Sequence, residues 1–332
     1  FVILDVLMPN KWLNHKEIEI KKQKYKVSNW SDYNNSLKKR GDIKVWLSQD
    51  LINNWYFNER IYDGTGSTKC YTDEAIIACH EIRQVYKLPL RQTEGFINSL
   101  FKLMKLKIRS PDYTRLSKRL KELEIKCPRY TKYSKMDSDI SAIALDSTGL
   151  KRFGRDEWHV EKHKVSARRS WRKAHFGIDE NHYIQAAVLT DRFTHDDEMV
   201  DDLLEQVDRP IDHFTGDGAY DETPVYDKIL AHSPMADIVI PPAKNAIIKT
   251  NANAMRNRNI LEISENGRMA WQKEHRYGQR NYSELGVQRY KRILGRAMHA
   301  RKMSRQKQEF LVGCGILNKM TSLGMPERYR VA

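Results

Sequence analysis

The fold is decided at residues 143–149, which read Ile-Ala-Leu-Asp-Ser-Thr-Gly. A second segment of this kind, Phe-Thr-Gly-Asp-Gly-Ala-Tyr, occupies residues 214–220. In each, an apolar run ends in an aspartate that is close to glycine and other small residues. Either aspartate alone would fit a turn or a cap, but an open α/β sheet presents carboxylates in this way at the carboxyl ends of its strands. We therefore predict that Asp146 and Asp217 lie at one edge of a sheet.

The surrounding sequence is patterned like an α/β protein. Short apolar or alternating runs predict strands, and the polar break at 179–181 predicts a hairpin between two of them. Amphipathic segments between the later strands predict helices. We expect an α/β sheet with an antiparallel edge. The predicted strands are 143–150, 174–178, 183–189, 213–215 and 237–240, and the predicted helices are 196–206 and 222–230.

A third motif has the spacing Y-(2)-R-(3)-E-(6)-K and consists of Tyr277, Arg280, Glu284 and Lys291. At about 100° per residue, its four positions fall within about 60° on a helix. One helical face would therefore present a phenol, a guanidinium, a carboxylate and an ammonium, on a single helix expected over 282–302. The alternative is a solvated face with an i,i+4 ion pair. Basic residues continue beyond the motif, at Arg289, Arg292, Arg296, Arg301, Lys302 and Arg305.

The amino-terminal third of the sequence is predicted to be helical. Apolar stripes indicate helices over 72–86 and 93–106 and a third that begins at Ser110, and Thr72 is placed to cap the first. Ten basic and three acidic residues lie between 102 and 129. Three short helices with a basic last member resemble a helix-turn-helix module, which lays one helix against DNA. A small helical bundle with a solvated charged face is the alternative.

The composition favours a polyanionic partner. The 332 residues include 58 Lys and Arg against 43 Asp and Glu, a formal charge of +15 that is spread along the chain. A spread charge favours nucleic acid over a membrane surface. No apolar run approaches the roughly 18–20 residues that span a bilayer. The four cysteines form no CxxC pair, as expected in a reducing cytoplasm.

These motifs resemble those of the DDE transposases of bacterial insertion sequences, specifically the insertion-sequence-five group. The signature from Tyr277 to Lys291 matches that family at all four positions. The resemblance runs from about residue 25 to the end, whereas residues 1–24 depart from it and are left as an unassigned leader. Further matching segments are Asn29-Trp30, Tyr33-Asn34, Arg40-Gly41, 93–97, 111–117, 145–149, 171–173 and 240–242.

The resemblance implies an RNase H-like fold in which Asp146, Asp217 and Glu284 form a catalytic triad. Cutting and joining phosphodiesters are in-line displacements that depend on positioning and charge neutralisation. Mg²⁺ suits a carboxylate triad because it is hard and prefers oxygen ligands, and Mn²⁺ would substitute for it. We expect two ions, about 3.5–4 Å apart. The implied divisions are a helical DNA-binding region at 25–135, a catalytic domain at 139–302 with a β-rich insertion at about 237–275, and a C-terminal tail at 303–332.

Several basic and aromatic side chains are expected to contact DNA. Lys291, two turns beyond Glu284, would bind a phosphate as a point charge, whereas Arg280 would grip one with two hydrogen bonds. Tyr277 would bond a phosphate or stack on a base. The basic stretch 162–173 would follow the DNA backbone, with a solvated hairpin as the alternative. The full predicted set is Tyr277, Arg280, Lys291, Arg289, Arg292, Arg172, Lys173, Arg168 and Arg169.

Other candidate residues fit structural roles better. His159 and His163 have the i,i+4 spacing of a zinc pair, but no third ligand is evident. Asp196 and its acidic neighbours fit the first turn of a helix. Trp271 fits a buried packing residue better than a holder of a flipped base.

The predicted function is a Mg²⁺-dependent DNA transposase. Its amino-terminal helices would recognise the terminal inverted repeats of an insertion sequence, and the resemblance implies a homodimer on paired DNA ends in the bacterial cytoplasm. Two alternatives stay open. One is a degenerate copy that only binds DNA, which the start at Phe1 motivates. The other is a metal-dependent nuclease that does not join strands.

Overall fold

The computed structural model describes residues 24–61, 69–127, 142–152 and 171–331. The described chain begins with a strand and three short helices, which are followed by a hairpin. Asp42 and Ser48 each cap a helix by accepting a hydrogen bond from a backbone amide, from Lys44 at 3.0 Å and from Leu51 at 3.3 Å. These elements are β1 (Lys24–Val27), α1 (Trp30–Lys39), α2 (Ile43–Trp46), α3 (Gln49–Asn53), β2 (Tyr56–Ile61) and β3 (Lys69–Tyr71).

The three helices predicted for the amino-terminal third are present. They are α4 (Asp73–Val85), α5 (Leu90–Leu103) and α6 (Tyr113–Arg119). The predicted cap is confirmed, because the Thr72 hydroxyl accepts from the Ala75 amide at 3.2 Å. The apolar faces of these helices close a core around Ile76, Ile97 and Leu116, all fully buried.

Helix α6 uses part of its basic character inside this bundle. Arg119 is buried, forms an ion pair with Asp73, and donates to the Tyr71 carbonyl at 3.2 Å. Arg115 lies over the Tyr71 ring, 5.6 Å from its centroid. Arg115 and Arg119 thus help to hold this bundle together. The helix-turn-helix interpretation of these helices stays a prediction.

A five-stranded sheet forms the second half of the molecule. Its strands are β4 (Ala142–Lys151), β5 (Trp171–Asp179), β6 (Ile184–Thr190), β7 (His213–Thr215) and β8 (Asp237–Val239), in the order β6-β5-β4-β7-β8. Strands β4, β5 and β6 pair antiparallel, whereas β4, β7 and β8 run parallel. The predicted mixed α/β sheet with an antiparallel edge is confirmed.

One face of the sheet, here called the back face, is covered by helices α7 (Val200–Leu204) and α8 (Thr223–His232). Side chains alternate across a strand, so every second residue of β4 points to this face. Ile143 and Leu145 accordingly pack with Phe214 and the apolar residues of these two helices in one buried core. Ala144, which lies between them, and Asp146, two residues further along β4, point to the opposite face, here called the front face.

The insertion after β8 is helical, which corrects the prediction of a β-rich insertion at about 237–275. It contains α9 (Ala254–Asn266) and α10 (Arg268–Glu274). The Asn253 side chain caps α9 by accepting from the Met255 amide at 2.9 Å. Gly267, with φ at +81°, then breaks the chain between the two helices. Asn253 is a residue type that often starts a helix, but the insertion was assigned by resemblance to the family and this local signal was not used.

The front face of the sheet is covered by α11 (Asn281–Ile293) and α12 (Met303–Ser322), and the described chain ends with β9 (Arg328–Val331), which pairs with β1. Two predictions are corrected here. The single helix expected over 282–302 ends near Gly295, whose φ of +114° favours glycine and breaks the helix. The segment 303–332 is not a tail, because α12 is largely buried.

Helix α12 contributes to two hydrophobic cores. Phe310, Cys314 and Leu317 pack with the front face of the sheet. Val312, Ile316 and Met320 pack with the amino-terminal helices. Each set repeats at helical spacing on a different side of α12, so this helix joins the two halves of the molecule.

No helix within the described ranges is both long enough and apolar enough to cross a lipid bilayer.

Candidate functional site

Strand register places Asp146 and Asp217 side by side. Strands β4 and β7 run parallel, with Ala144 paired to Thr215. Each aspartate follows its member of that pair by two residues, so both lie just beyond the parallel pairing and on the same side of their strands. Neighbouring strands are about 4.8 Å apart. The two aspartates therefore lie together, as predicted, although Asp146 is within β4, which continues to Lys151, and only Asp217 follows the end of its strand.

Glu284 reaches this edge because α11 packs tightly on the front face. A Cβ added at Gly286, two residues after Glu284, would overlap the Cδ1 of Ile178 on β5. The absence of a side chain at Gly286 thus lets the first half of α11 approach the sheet. A 3₁₀ turn, Tyr277–Arg280, leads into α11 and lies against β4 and β7. The helix and its leading turn bring the signature motif to the two aspartates.

Asp146 is close enough to the other two acidic residues for their charges to act on it. Burial raises the pKa of the Asp146 carboxyl to about 6, and the negative charges of Asp217 and Glu284 raise it further. The Ser147 amide, which donates to Asp146 at 2.8 Å, and the Arg280 guanidinium oppose the shift. Three carboxylates and one guanidinium therefore influence one another across the sheet edge.

Arg280 and Tyr277 line the same site. Arg280 forms an ion pair with Glu284 across one helical turn, as expected if the motif were only a solvated helical face with an i,i+4 ion pair. The Arg280 guanidinium also lies 5.9 Å from the centroid of the Tyr277 ring. Burial raises the pKa of the Tyr277 phenol, and the charges of Asp217 and Glu284 act in the same direction. The ion pair and the shared site are thus both present.

Lys291 faces Asp146 from the next part of α11. Burial and the nearby Arg296 lower the pKa of the Lys291 ammonium, whereas Asp146 raises it. Arg292, the following residue, is exposed. A cation therefore stands beside the carboxylates on the side toward the end of α11.

The donor chemistry of the site fits a hard divalent cation. Its three carboxylates offer oxygen ligands without histidine or cysteine. Among the described residues, however, no three acidic, histidine or cysteine side chains are arranged closely enough to hold a metal ion as they stand. Glu284 is turned toward Arg280, whose guanidinium neutralises part of the negative charge in this arrangement.

A family model described as "Transposase DDE domain" matches residues 137–319, which is more than half of the chain, and another with the same description matches residues 38–155. The chain belongs to the DDE transposases. Among solved structures, the chain matches one chain of the cryo-EM structure of a piggyBac transposase synaptic complex with hairpin DNA, with 11% sequence identity and a TM-score of 0.36. The match covers 86% of this chain and 73% of that chain.

Arg289, which we predicted to contact DNA, lies inside the transposase. It is five residues beyond Glu284 and therefore about 140° around the helix. Its guanidinium donates to the Thr321 hydroxyl of α12 at 2.9 Å. Burial lowers the pKa of Arg289 to about 10, and the nearby Arg40 contributes. Arg289 therefore joins α11 to α12, and its contact with DNA stays a prediction.

Arg172 and Lys173 also have partners within the transposase itself, and their predicted role on DNA stays a prediction. Lys173 donates to the Thr194 carbonyl at 3.1 Å and lies 3.0 Å from an Asp196 carboxylate oxygen. Arg172 donates to the Gln306 side chain at 2.8 Å. The neighbouring Arg168 and Arg169 lie outside the described residues, as do His159 and His163.

A polar cluster that no sequence motif indicated lies on the back face of the sheet, near Asp146 and Asp217. Asp196 contacts Lys173 and also His175, whose Nδ1 lies 3.2 Å away. Burial would raise the pKa of Asp196, but the side chains of His175, Ser147 and Lys173 outweigh it and lower the pKa to about 2. Asp196 lies at the start of the 3₁₀ turn that leads into α7, as predicted for the beginning of a helix, and its side chain also binds the sheet. The alternation of Lys173 and His175 along β5 was the only signal for this cluster.

Tyr220 is the residue that joins this cluster to the front carboxylates. It is fully buried, and the negative charges of Asp196, Asp217 and Asp146 all raise the pKa of its phenol. Trp271, by contrast, is fully buried within the insertion, 6.1 Å from the Tyr277 ring. The prediction that Trp271 is a packing residue is confirmed.

Proposed function

We propose that this DDE transposase binds the terminal inverted repeats of an insertion sequence of the insertion-sequence-five group, and that it cleaves and joins DNA at the sheet edge. The strand order, with three antiparallel strands followed by two parallel ones, supports an RNase H-like catalytic domain. We assign the helical region at 25–135 to recognition of the ends. A homodimer on paired ends follows from the same family resemblance.

One observation carries the proposal. Asp146 and Asp217 each lie two residues beyond the last pair of the parallel strands β4 and β7, Asp146 within β4 and Asp217 just after β7. Glu284 lies on the helix that packs on the same face of the sheet. Their negative charges reach one another, since both of the other carboxylates raise the pKa of Asp146. Acidic side chains are costly to gather in this way unless a cation is to be bound among them.

We propose Asp146, Asp217 and Glu284 as the ligands of two Mg²⁺ ions, with Mn²⁺ able to replace them. Bound at the three carboxylates, such ions would neutralise the charge that develops on the phosphoryl oxygens and activate the attacking oxygen. Before metal binds, Arg280 holds Glu284 by an ion pair. Release of Glu284 would free the Arg280 guanidinium for a DNA phosphate, which it grips with two parallel hydrogen bonds.

Other side chains near the carboxylates are proposed to contact DNA. Lys291 stands beside Asp146 and would hold the scissile phosphate in place as a point charge. Arg292 is exposed on the following position and would contact the flanking backbone. The Tyr277 ring lies between Arg280 and Trp271, where its hydroxyl would bond a phosphate. Arg168 and Arg169 stay proposed contacts on sequence grounds.

The experiment that tests this function replaces Asp146 by Asn. In a Mg²⁺-dependent strand-transfer assay with cognate ends, Asp146→Asn should lower activity on the order of a thousandfold or more, because a metal ligand and its charge are removed. Binding of the ends should change little. The matched control is Asp212→Asn, at an exposed aspartate that precedes β7 at the opposite end of the strand.

Three other outcomes would contradict parts of the proposal. Equal loss of end binding and strand transfer in Asp146→Asn would mean that the residue supports structure. Salt-sensitive binding by a wild-type protein that never nicks DNA would identify a copy that only binds. Nicked but never joined products would identify a nuclease.

A further inference from the structure

A cavity of about 580 Å³ lies where the amino-terminal helices meet the catalytic half of the molecule. One wall is the end of α4 and the residues that follow it, with Arg83 and Lys87. The other wall is the end of α11 and the loop beyond it, with Arg296 and His299. Glu309 of α12 lies between them. The cavity is large enough for a group of nucleotide size.

The lining of this cavity is cationic. Glu309 is the acidic residue in the lining, and its two carboxylate oxygens accept the backbone amides of His299 at 2.9 Å and Ala300 at 2.7 Å. The negative charge of Glu309 is therefore partly neutralised by the backbone amides of the loop. Arg83, Lys87 and Arg296 outnumber it, so the cavity has a net positive charge and favours an anion.

Arg83 has hydrogen-bonding capacity to spare. Its Nε is buried, and it has no hydrogen-bond partner among the described residues. Burial lowers the pKa of the Arg83 guanidinium, which only the charge of Glu309 opposes. A buried guanidinium nitrogen without an acceptor costs free energy unless a ligand supplies one. Phosphate oxygens are the acceptors that a guanidinium fork matches best.

A line of positive charge connects the cavity to the carboxylates. The Lys291 ammonium interacts electrostatically with Asp146 and with Arg296, which shift its pKa in opposite directions. The loop that carries Arg296 is fixed to the end of β4, because the Lys151 amide donates to the Arg296 carbonyl at 2.8 Å and the Met298 amide donates to the Lys151 carbonyl at 2.7 Å. From Asp146 to Lys151 the strand rises about 17 Å, which a DNA strand covers in about five nucleotides.

We propose that this cavity is a second DNA site of the protein, which binds a backbone phosphate of the strand that extends from the carboxylates toward the amino-terminal helices. The inference rests on the proposed function, since it requires DNA at the catalytic edge. Arg83 would bind the phosphate at the bottom of the cavity. Lys87 and Arg296, both exposed, would contact the adjoining phosphates at its rim.

The test measures how the affinity for DNA depends on salt. The variant is Lys87→Gln with Arg296→Gln, because both side chains are exposed and their loss leaves the cores intact. The probe is a labelled duplex of mixed sequence, several helical turns long, titrated at roughly 50 to 200 mM salt. The control is Arg209→Gln with Lys228→Gln, which removes two positive charges before β7 and on α8, on the other side of the molecule.

Loss of two phosphate contacts should reduce the slope of log affinity against log salt by about 1.8, and should weaken binding roughly ten- to a hundredfold near 100 mM salt. The control pair should keep the wild-type slope. If the cavity variant keeps it too, the cavity does not bind phosphate, and the inference is overturned while the proposed function stands. If wild-type binding is insensitive to salt, the proposed function itself fails. Arg83→Gln, checked for folding by its thermal transition, should reproduce the weaker binding.

Discussion

At the edge of the sheet, Asp146 on the front face and Asp196 on the back face are in opposite electrostatic states. Asp146 has two other carboxylates as neighbours, and its pKa is raised to about 6. Asp196 lies against Lys173 and His175, and its pKa is lowered to about 2. Burial raises the pKa of both carboxyls. At Asp146 burial prevails and the charges of the two other carboxylates add to it, whereas at Asp196 the side chains of His175, Ser147 and Lys173 outweigh it.

The comparison separates a binding site from a structural contact. A carboxylate that already has its cations, as Asp196 does, stabilises the fold and has little left to offer a ligand. Carboxylates that repel one another, as on the front face, lower stability and gain from a cation that arrives later. The experiments below test whether the two faces differ in this way.

The largest effect is expected from Asp196→Asn. The change leaves the Lys173 ammonium, only 17% exposed, without its counter-charge. The free energy of unfolding at pH 7 should fall by about 3 kcal/mol. Asp146→Asn, measured by the same denaturant titration in EDTA, should leave stability unchanged or raise it by about 1 kcal/mol, because it removes charge repulsion. Similar losses in both variants would show that the two faces are alike.

The next effect tests how Glu284 is held at the front face. Gly286→Ala should lower the free energy of unfolding by about 2 kcal/mol, because the new methyl group overlaps the Cδ1 of Ile178. Ile178→Val removes that atom, so the double variant should lose less than the sum of the single losses. Gly278→Ala is the matched control, since no atom lies within 4 Å of a Cβ added there. Strictly additive losses would mean that α11 is positioned by other contacts.

The smallest effect is a pH dependence. The raised pKa of Asp146 means that the folded state holds a proton there which the unfolded chain has released, between the ordinary aspartate pKa and about 6. Asp146 therefore stabilises the fold below that window, and this contribution is lost as pH rises through it. Relative to Asp146→Asn, wild-type stability should decline by on the order of 1 kcal/mol from about pH 4 to about pH 7 in EDTA.

Subtraction of the variant's curve is necessary because Asp179, fully buried nearby on β5, also has a pKa raised to about 6 by burial. Its contribution is present in both proteins and cancels. A difference curve that is flat, or that rises with pH, would contradict the raised pKa of Asp146.

The parts of the fold that could be predicted from sequence are those encoded locally. The strand that contains Asp146 and the capped helix after Thr72 each show their pattern within a dozen residues, and both are confirmed. The proximity of Asp146 and Asp217 was predictable as well, because both follow apolar runs that pair as parallel strands of one sheet. The signature motif placed Glu284, Arg280 and Lys291 on one helical face.

What could not be predicted depends on contacts between distant segments. Basic residues look alike in a sequence, yet Arg289 faces Thr321 and Arg172 faces Gln306, both on a helix that the sequence analysis took for a tail. The back-face cluster joins Asp196 to Lys173 across a sheet edge, with no motif to mark it. The insertion was assigned by resemblance to a family rather than from its own helix signals, and that part was wrong.

Helix α12 has a consequence for how the protein is made. Because its residues complete both the sheet core and the core of the amino-terminal helices, neither core can close before this late segment has emerged from the ribosome. The two halves should then fold cooperatively, in a single step after most of the chain has been synthesised. A premature stop before Met303 would leave both halves open, so cells should degrade such fragments instead of accumulating a free DNA-binding or catalytic half.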